Sequence, residues 1–155
     1  MPDEEKLSSY LNKSKLISNS NYEKKIRIAI LGGFTLNGLE ETMRVKCDEK
    51  KIQCTTYVSG YNQYNQEILD EKSQLYEFSP DITFLIIDAR NVLGELFLNP
   101  YSVSIEERKR FIQNKSDEII NLAKALVKKS KSKLVLSNFS IPSYSPIGIS
   151  ETREE

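Results

Sequence analysis

The chain lacks histidine and tryptophan altogether, and it has only two cysteines and six glycines among its 155 residues. Without histidine there is no imidazole base, which excludes nucleophilic mechanisms of the Ser-His and Cys-His type. The two cysteines, Cys47 and Cys54, fit no metal-binding spacing, so no metal site is expected. No apolar run has the length of a membrane span, and the polar N-terminus does not resemble a signal peptide. We therefore expect a cytoplasmic protein with no membrane partner.

Charge and size narrow the function classes further. Lysine plus arginine and aspartate plus glutamate both number 22, which gives a formal net charge of zero. A general nucleic-acid binder would be markedly basic, so nucleic acid is not an expected partner. The content of hydrophobic residues, 39%, is that of an ordinary soluble domain, and the length suffices for one domain with a full core.

Helical and strand patterns alternate along the chain. Apolar periodicity predicts helices over 4–18, 38–51 and 66–78, followed by a long helix capped by Ser102 or Ser104. Runs of β-branched and apolar residues predict strands over 26–31, 53–59, 82–87 and 133–137. Thr35 or Asn37 is predicted to cap the second helix, and a loop of about a dozen residues to follow Asn91. The inward side of the long helix is predicted to comprise Phe111, Ile112, Ile119, Ile120, Leu122, Ala123 and Leu126.

This order predicts an α/β fold with three layers, in which helices cover both faces of a doubly wound, mainly parallel sheet. The expected organisation is an N-terminal helix and linker (1–21), an α/β domain (22–140) and a C-terminal loop or linker (141–155). Such sheets bind ligands beyond the carboxyl ends of their strands. Three turns are expected to meet there, and they contain the candidate binding residues Gly32, Gly33, Phe34, Thr35, Gly60, Tyr61, Asp88, Arg90 and Asn91.

Each turn has a structural and a functional interpretation. The Gly32-Gly33 pair is either a tight turn or a nest of amides that holds an anion at a helix N-terminus. Asp88 and Arg90 pair with each other, cap nearby backbone, or belong to the binding cleft. Asn91 is a candidate donor into a pocket, in the manner of an oxyanion hole.

The turns are similar to those of small SGNH-type hydrolases. In that family, Gly-Asp-Ser follows the first strand, a glycine the second and Gly-x-Asn-Asp the third, and an Asp-x-x-His comes late. Here Gly33 or Phe34 stands at the position of the serine, Gly60 matches the second block and Asn91 the third, while the histidine block has no counterpart. The resemblance implies the scaffold without its catalytic serine and histidine.

A more specific resemblance covers residues 5–150. The runs Ile28-Ala29-Ile30-Leu31-Gly32-Gly33-Phe34-Thr35, Gly60-Tyr61-Asn62-Gln63-Tyr64, Glu67-Ile68-Leu69-Asp70 and Ser73-Gln74-Leu75-Tyr76-Glu77-Phe78-Ser79-Pro80-Asp81 resemble the N-terminal domain of FkbH-like proteins, in HAD superfamily subfamily IIIC. In that family an SGNH-like domain precedes a HAD domain. The HAD domain carries an Asp-x-Asp motif, binds magnesium and transfers a glyceryl group to an acyl carrier protein.

The resemblance implies an accessory role. The pattern Asp-x-Asp-x-Thr is absent, so no catalytic residue and no magnesium ligand of the family is carried over to this chain. The leading hypothesis is a non-catalytic domain that docks a fused or separate HAD domain, or positions a substrate or an acyl carrier protein. Two alternatives remain open. One is a hydrolase with unusual residues, such as Thr35 with Asp88, and the other is a phosphate-binding module of flavodoxin-like shape.

Overall fold

The protein has a four-stranded parallel sheet with helices on both faces, which confirms the predicted α/β class. This computed structural model describes residues 6–18 and 22–139, so the predicted C-terminal loop (141–155) lies outside the described residues. The strands are β1 (Lys24–Gly32), β2 (Ile52–Val58), β3 (Ile82–Ile86) and β4 (Lys133–Leu136), in the spatial order β2-β1-β3-β4. The helices are α1 (Leu7–Leu16), α2 (Leu39–Asp48), α3 (Tyr64–Leu69), α4 (Gln74–Phe78), α5 (Ala89–Leu93), α6 (Glu95–Leu98) and α7 (Ile105–Lys129).

The side chains of β1 point alternately into two apolar layers, one on each face of the sheet. Ala29 and Leu31 are fully buried in a cluster with Leu85 of β3, Ile68 of α3 and Leu126 of α7. On the opposite face lie Ile28 and Ile30, both buried, as is Val45 of α2. Thr56 is the register partner of Ile28, and its hydroxyl donates to Glu40 of α2, which places α2 on that second face. None of the helices within residues 6–18 and 22–139 combines the length and hydropathy needed to cross a membrane.

The connection between β2 and β3 differs from the single helix predicted over 66–78. It forms two short helices, α3 and α4, because Asp70 opens a turn between them. The Asp70 carboxylate accepts a hydrogen bond from the Lys72 amide at 2.9 Å, and Ser73 Oγ donates to the Glu67 carbonyl at 2.7 Å. Such local side-chain bonds to the backbone compete with helix continuation.

The prediction of a long loop after Asn91 is wrong as well. The segment contains α5, α6 and a 3₁₀ turn over Pro100–Ser102. The Asp88 side chain caps α5, and Gly94 separates α5 from α6 with φ +55°, a conformation that glycine adopts without strain. Sequence periodicity could not detect these helices because each has only four or five residues.

Of the two predicted helix caps, that of α7 is confirmed and that of α2 is wrong. Ser104 caps α7, since its Oγ accepts from the Glu107 amide at 3.2 Å and the Glu107 carboxylate accepts from the Ser104 amide at 3.0 Å. For α2, however, the cap is Gly38, with φ +83°, and neither Thr35 nor Asn37.

The inward side predicted for α7 is only partly correct. Leu126 is fully buried, and Ile119 and Leu122 pack against the core cluster. In contrast, Ile112 is 48% exposed and Ile120 is 46% exposed. The helix α7 therefore carries apolar side chains that the sheet does not cover.

Candidate site at the carboxyl ends of the strands

The three predicted turns meet at the carboxyl edge of the sheet. The Gly33 amide donates to the Ile86 carbonyl at 3.0 Å, and the Asn62 amide donates to the Gly32 carbonyl at 3.2 Å. The side-chain amide of Asn91 donates to the Gly33 carbonyl. The turn after β1 is thus tied to the turns after both neighbouring strands.

The Asn91 side chain approaches Gly33 closely. Gly33 is buried, and a Cβ built at this position would lie 3.3 Å from Asn91 Nδ2 and 3.7 Å from the Asp88 amide nitrogen. A side chain here would require Asn91 to shift by a few tenths of an ångström. This geometry favours the tight-turn interpretation of the glycine pair.

The anion-nest interpretation does not fit the same turn. The Gly33 amide already donates to Ile86, and α2 begins at Leu39, five residues after Phe34. An anion-binding nest needs free amides directed at the ligand from the helix N-terminus. The glycine pair therefore provides a link between strands and no open anion site.

Asp88 and Arg90 have structural partners near the end of β3. Asp88 Oδ1 accepts a hydrogen bond from the Arg90 amide at 2.9 Å and so caps α5. The Arg90 guanidinium lies over the Phe97 ring, 5.5 Å from its centroid. This is the backbone-capping alternative of the sequence analysis. A role of either residue in ligand binding stays a prediction.

The Asn91 amide has two N–H donors, and one of them bonds to the Gly33 carbonyl. Its role as an oxyanion donor stays a prediction. The side chain borders a cavity of about 530 Å³, which we name the α7-side cavity. Its other lining residues include Asn62, Tyr64, Lys115, Glu118 and Asn121.

The remaining candidate residues border a different space. Phe34, Thr35 and Tyr61 line a cavity of about 440 Å³ together with Leu7 and Leu11 of α1, and we name it the α1-side cavity. The predicted single cleft is therefore divided into two cavities. Gly60 lies on the rim of neither, and a Cβ there would overlap the Gln63 side chain.

Sequence reasoning missed the polar lining of the α7-side cavity. Lys115 Nζ and a Glu118 carboxylate oxygen are 2.7 Å apart on one turn of α7. Tyr64 is only 8% exposed, and burial raises the pKa of its phenol. No sequence motif could have revealed this lining because it combines single residues from α3, α5 and α7.

Among the described residues, neither Thr35 nor Ser59 of the α1-side cavity is hydrogen-bonded to a base. Thr35 is exposed, and within residues 6–18 and 22–139 its hydroxyl has no hydrogen bond to a base. Ser59 also borders the α1-side cavity, but its Oγ is buried without a partner among the described residues and so is closed to substrate. A nucleophile needs both access and an adjacent base.

The described residues also contain no set of ligands for a metal. No group of three or more Cys, Asp or Glu side chains converges anywhere in them. Cys47 and Cys54 are half-buried free thiols, and burial is the main cause that raises the pKa of Cys54 to about 12. A thiol with that pKa stays protonated and is a poor metal ligand or nucleophile.

Comparisons with known proteins identify the family and the fold. Residues 27–142 match the family model described as FkbH, N-terminal domain. A crystal structure of the N-terminal part of the protein BF1531 from Bacteroides fragilis, containing a phosphatase domain and complexed with Mg, has the same fold with a TM-score of 0.71 at 16% identity. The match covers 90% of this chain and 35% of that chain. No protein with a curated description matches the chain.

Proposed function

The chain belongs to the FkbH N-terminal domain family, and we propose that it is a non-catalytic domain that docks a HAD-type phosphatase domain, fused or separate. In this role the partner performs the phosphate-ester or glyceryl chemistry. The domain described here supplies a docking surface, and it positions a substrate or an acyl carrier protein for that chemistry.

The observation that carries this proposal is the closure of the strand-end edge by its own contacts. The amide of Gly33, the side chain of Asn91 and the carboxylate of Asp88 each bond to neighbouring backbone. The chain also has no histidine that would activate a hydroxyl. An edge built in this way holds the turns in place and has no pair of nucleophile and base.

The nature of the partner is supported by the similar structure. The Bacteroides fragilis protein contains a phosphatase domain and is complexed with Mg, and the matched region is 35% of that chain. Among the described residues of the present chain, no three carboxylate or thiol side chains converge into a group that could hold a metal ion. We infer that magnesium is a cofactor of the partner domain.

A role in positioning a ligand is supported by the two cavities. Their volumes of about 440 and 530 Å³ lie within the range of small-molecule sites. The α7-side cavity combines apolar walls with amide groups and one ion pair, which suits a ligand with several hydrogen-bonding groups. Tyr64, Asn91 and Asn121 are the side chains that we expect such a ligand to contact.

The experiment is to search the coding DNA on both sides of this chain for a HAD-type domain with Asp-x-Asp-x-Thr, and to co-express the two parts as separate chains. We expect the tagged chain to retain the phosphatase domain through size-exclusion chromatography. If no such domain is encoded nearby, the fused form of the proposal is wrong. If the two parts elute separately, the docking role itself is wrong.

A further inference from the structure

Helix α7 carries apolar side chains that its own sheet does not cover. Leu126 is fully buried, yet the adjacent Val127 is 58% exposed and Ile120 is 46% exposed. Val127 follows Ile120 by two helical turns, so the two lie on the same side of α7. Exposed apolar side chains that are contiguous mark an interaction surface more often than scattered ones do.

Strand β4, at the edge of the sheet, also exposes apolar side chains. It pairs with β3 on one side, and no strand among residues 6–18 and 22–139 pairs with its other side. Leu136 and Val135 point to opposite faces of this edge and are 45% and 43% exposed. An edge strand with exposed apolar side chains is a template for a further strand.

Helix and strand enclose a common groove. Ile120, Ala123 and Val127 of α7 and Leu136 of β4 line an apolar space of about 400 Å³, which we name the α7–β4 groove. It continues into a second space of about 250 Å³, lined by Ile87, Ile119 and Phe139 among others. Leu136 is the register partner of the core residue Leu85, so a strand added beside β4 would place alternate side chains in this groove.

Positive charge borders the groove. Lys124 and Lys128 line it, and Lys131 is exposed shortly before β4. None of these three lysines forms an ion pair within the described residues. Two copies of this chain would bring lysines together, whereas a segment that carries carboxylates beside its apolar residues would complement them.

We propose that the α7–β4 groove binds a β-strand of the partner polypeptide, which extends the sheet beyond β4. The bound strand places alternate apolar side chains against Ile120 and Val127, and acidic residues at one of its ends meet Lys124 and Lys128. Backbone hydrogen bonds to the open side of β4 fix the strand, and the groove selects its side chains. This inference rests on the proposed function for the identity of the partner, the phosphatase-type domain, and it assigns the surface to which that domain docks.

The first test uses a matched pair of variants in the co-purification experiment. Ile120→Glu places a charge in the groove, while Ile112→Glu changes an equally exposed residue of α7 that does not line it. We expect Ile120→Glu to weaken retention of the phosphatase domain about tenfold or more and Ile112→Glu to leave it unchanged. Equal thermal unfolding midpoints of the two variants will show that both are folded.

The second test needs no phosphatase domain. The probe is a fluorescent synthetic peptide of ten alternating valines and threonines with two glutamates at each end, and binding is measured by fluorescence anisotropy. We expect binding to the full chain that is lost in Ile120→Glu, retained in Ile112→Glu, and weakened when lysines replace the glutamates of the peptide. If this peptide binds although no phosphatase domain co-purifies, the groove is a strand site and only the identity of its partner is wrong.

Several outcomes would overturn the inference. Co-purification that is insensitive to Ile120→Glu would leave the proposed function standing and remove the groove from it. Absence of peptide binding, or equal binding by the two variants, would contradict strand addition. A dimer that depends on Ile120 would assign the groove to a second copy, and peptide binding that requires deletion of residues 140–155 would assign it to the chain's own segment.

Discussion

Removal of the Asn91 side-chain amide tests whether the strand-end edge is a structural link. In Asn91→Ala the Gly33 carbonyl loses its donor, and an unsatisfied buried acceptor costs about 1 to 3 kcal/mol. Asn91 lies in α5, where alanine has the better helix propensity by up to about 0.7 kcal/mol. We therefore expect the free energy of unfolding to fall by about 0.3 to 2.3 kcal/mol.

The matched control for this substitution is Asn121→Ala. Like Asn91, Asn121 borders the α7-side cavity, lies in a helix and is exposed, but it has no hydrogen bond to the described residues. Its replacement should not lower the free energy of unfolding, and the better helix propensity of alanine should raise it by up to about 0.7 kcal/mol. Urea unfolding followed by circular dichroism suits a chain without tryptophan. Equal free energies for the two variants would refute the assignment of Asn91 as the tie between the turns.

Three further outcomes follow from the structure. Leu126→Ala should lower the free energy of unfolding by about 2 to 5 kcal/mol in the same urea experiment, whereas Val127→Ala, at an exposed position, should change it little. Hydrogen bonds from Ser104 lower the pKa of Glu107 below 4.5. The contribution of this carboxylate to the free energy of unfolding is therefore fully present above pH 4.5, and it is lost as the pH falls through the lower pKa of the folded state. Thermal unfolding of Ser104→Ala should show a lower midpoint at pH 7 and a weaker dependence on pH below 4.5. Because burial raises the pKa of Cys54 to about 12, iodoacetamide at pH 8.5 should alkylate it far more slowly in the folded protein than in urea, and equal rates would contradict its burial.

The four strands were predictable because each has a run of β-branched or apolar residues. β1 and β3 are the clearest, with Ile28 to Leu31 and Ile82 to Ile86, and the structure places both in the centre of the sheet. The cap at Ser104 was also predictable, since Glu107 three residues later completes the capping box. These features depend on residues that are close together in the sequence, so local sequence patterns predict them.

The arrangement of the candidate site depended on distant contacts. Gly33 and Asn91 are separated by 58 positions, and no local pattern reveals that the amide of one would bond to the carbonyl of the other. The division into two cavities follows from the packing of α1 and α7 around the turns. The error on Ile112 and Ile120 has a similar cause, since helical periodicity marks an apolar side but does not say whether the sheet is wide enough to cover it.

To establish whether this chain is a non-catalytic docking domain, the purified chain should be assayed on p-nitrophenyl acetate and p-nitrophenyl phosphate, with and without Mg²⁺. We expect rates no higher than those of buffer, and the same rates for Thr35→Ala. Turnover at enzyme-like rates that disappears in Thr35→Ala would contradict this expectation and would make Thr35 the nucleophile of an unusual hydrolase.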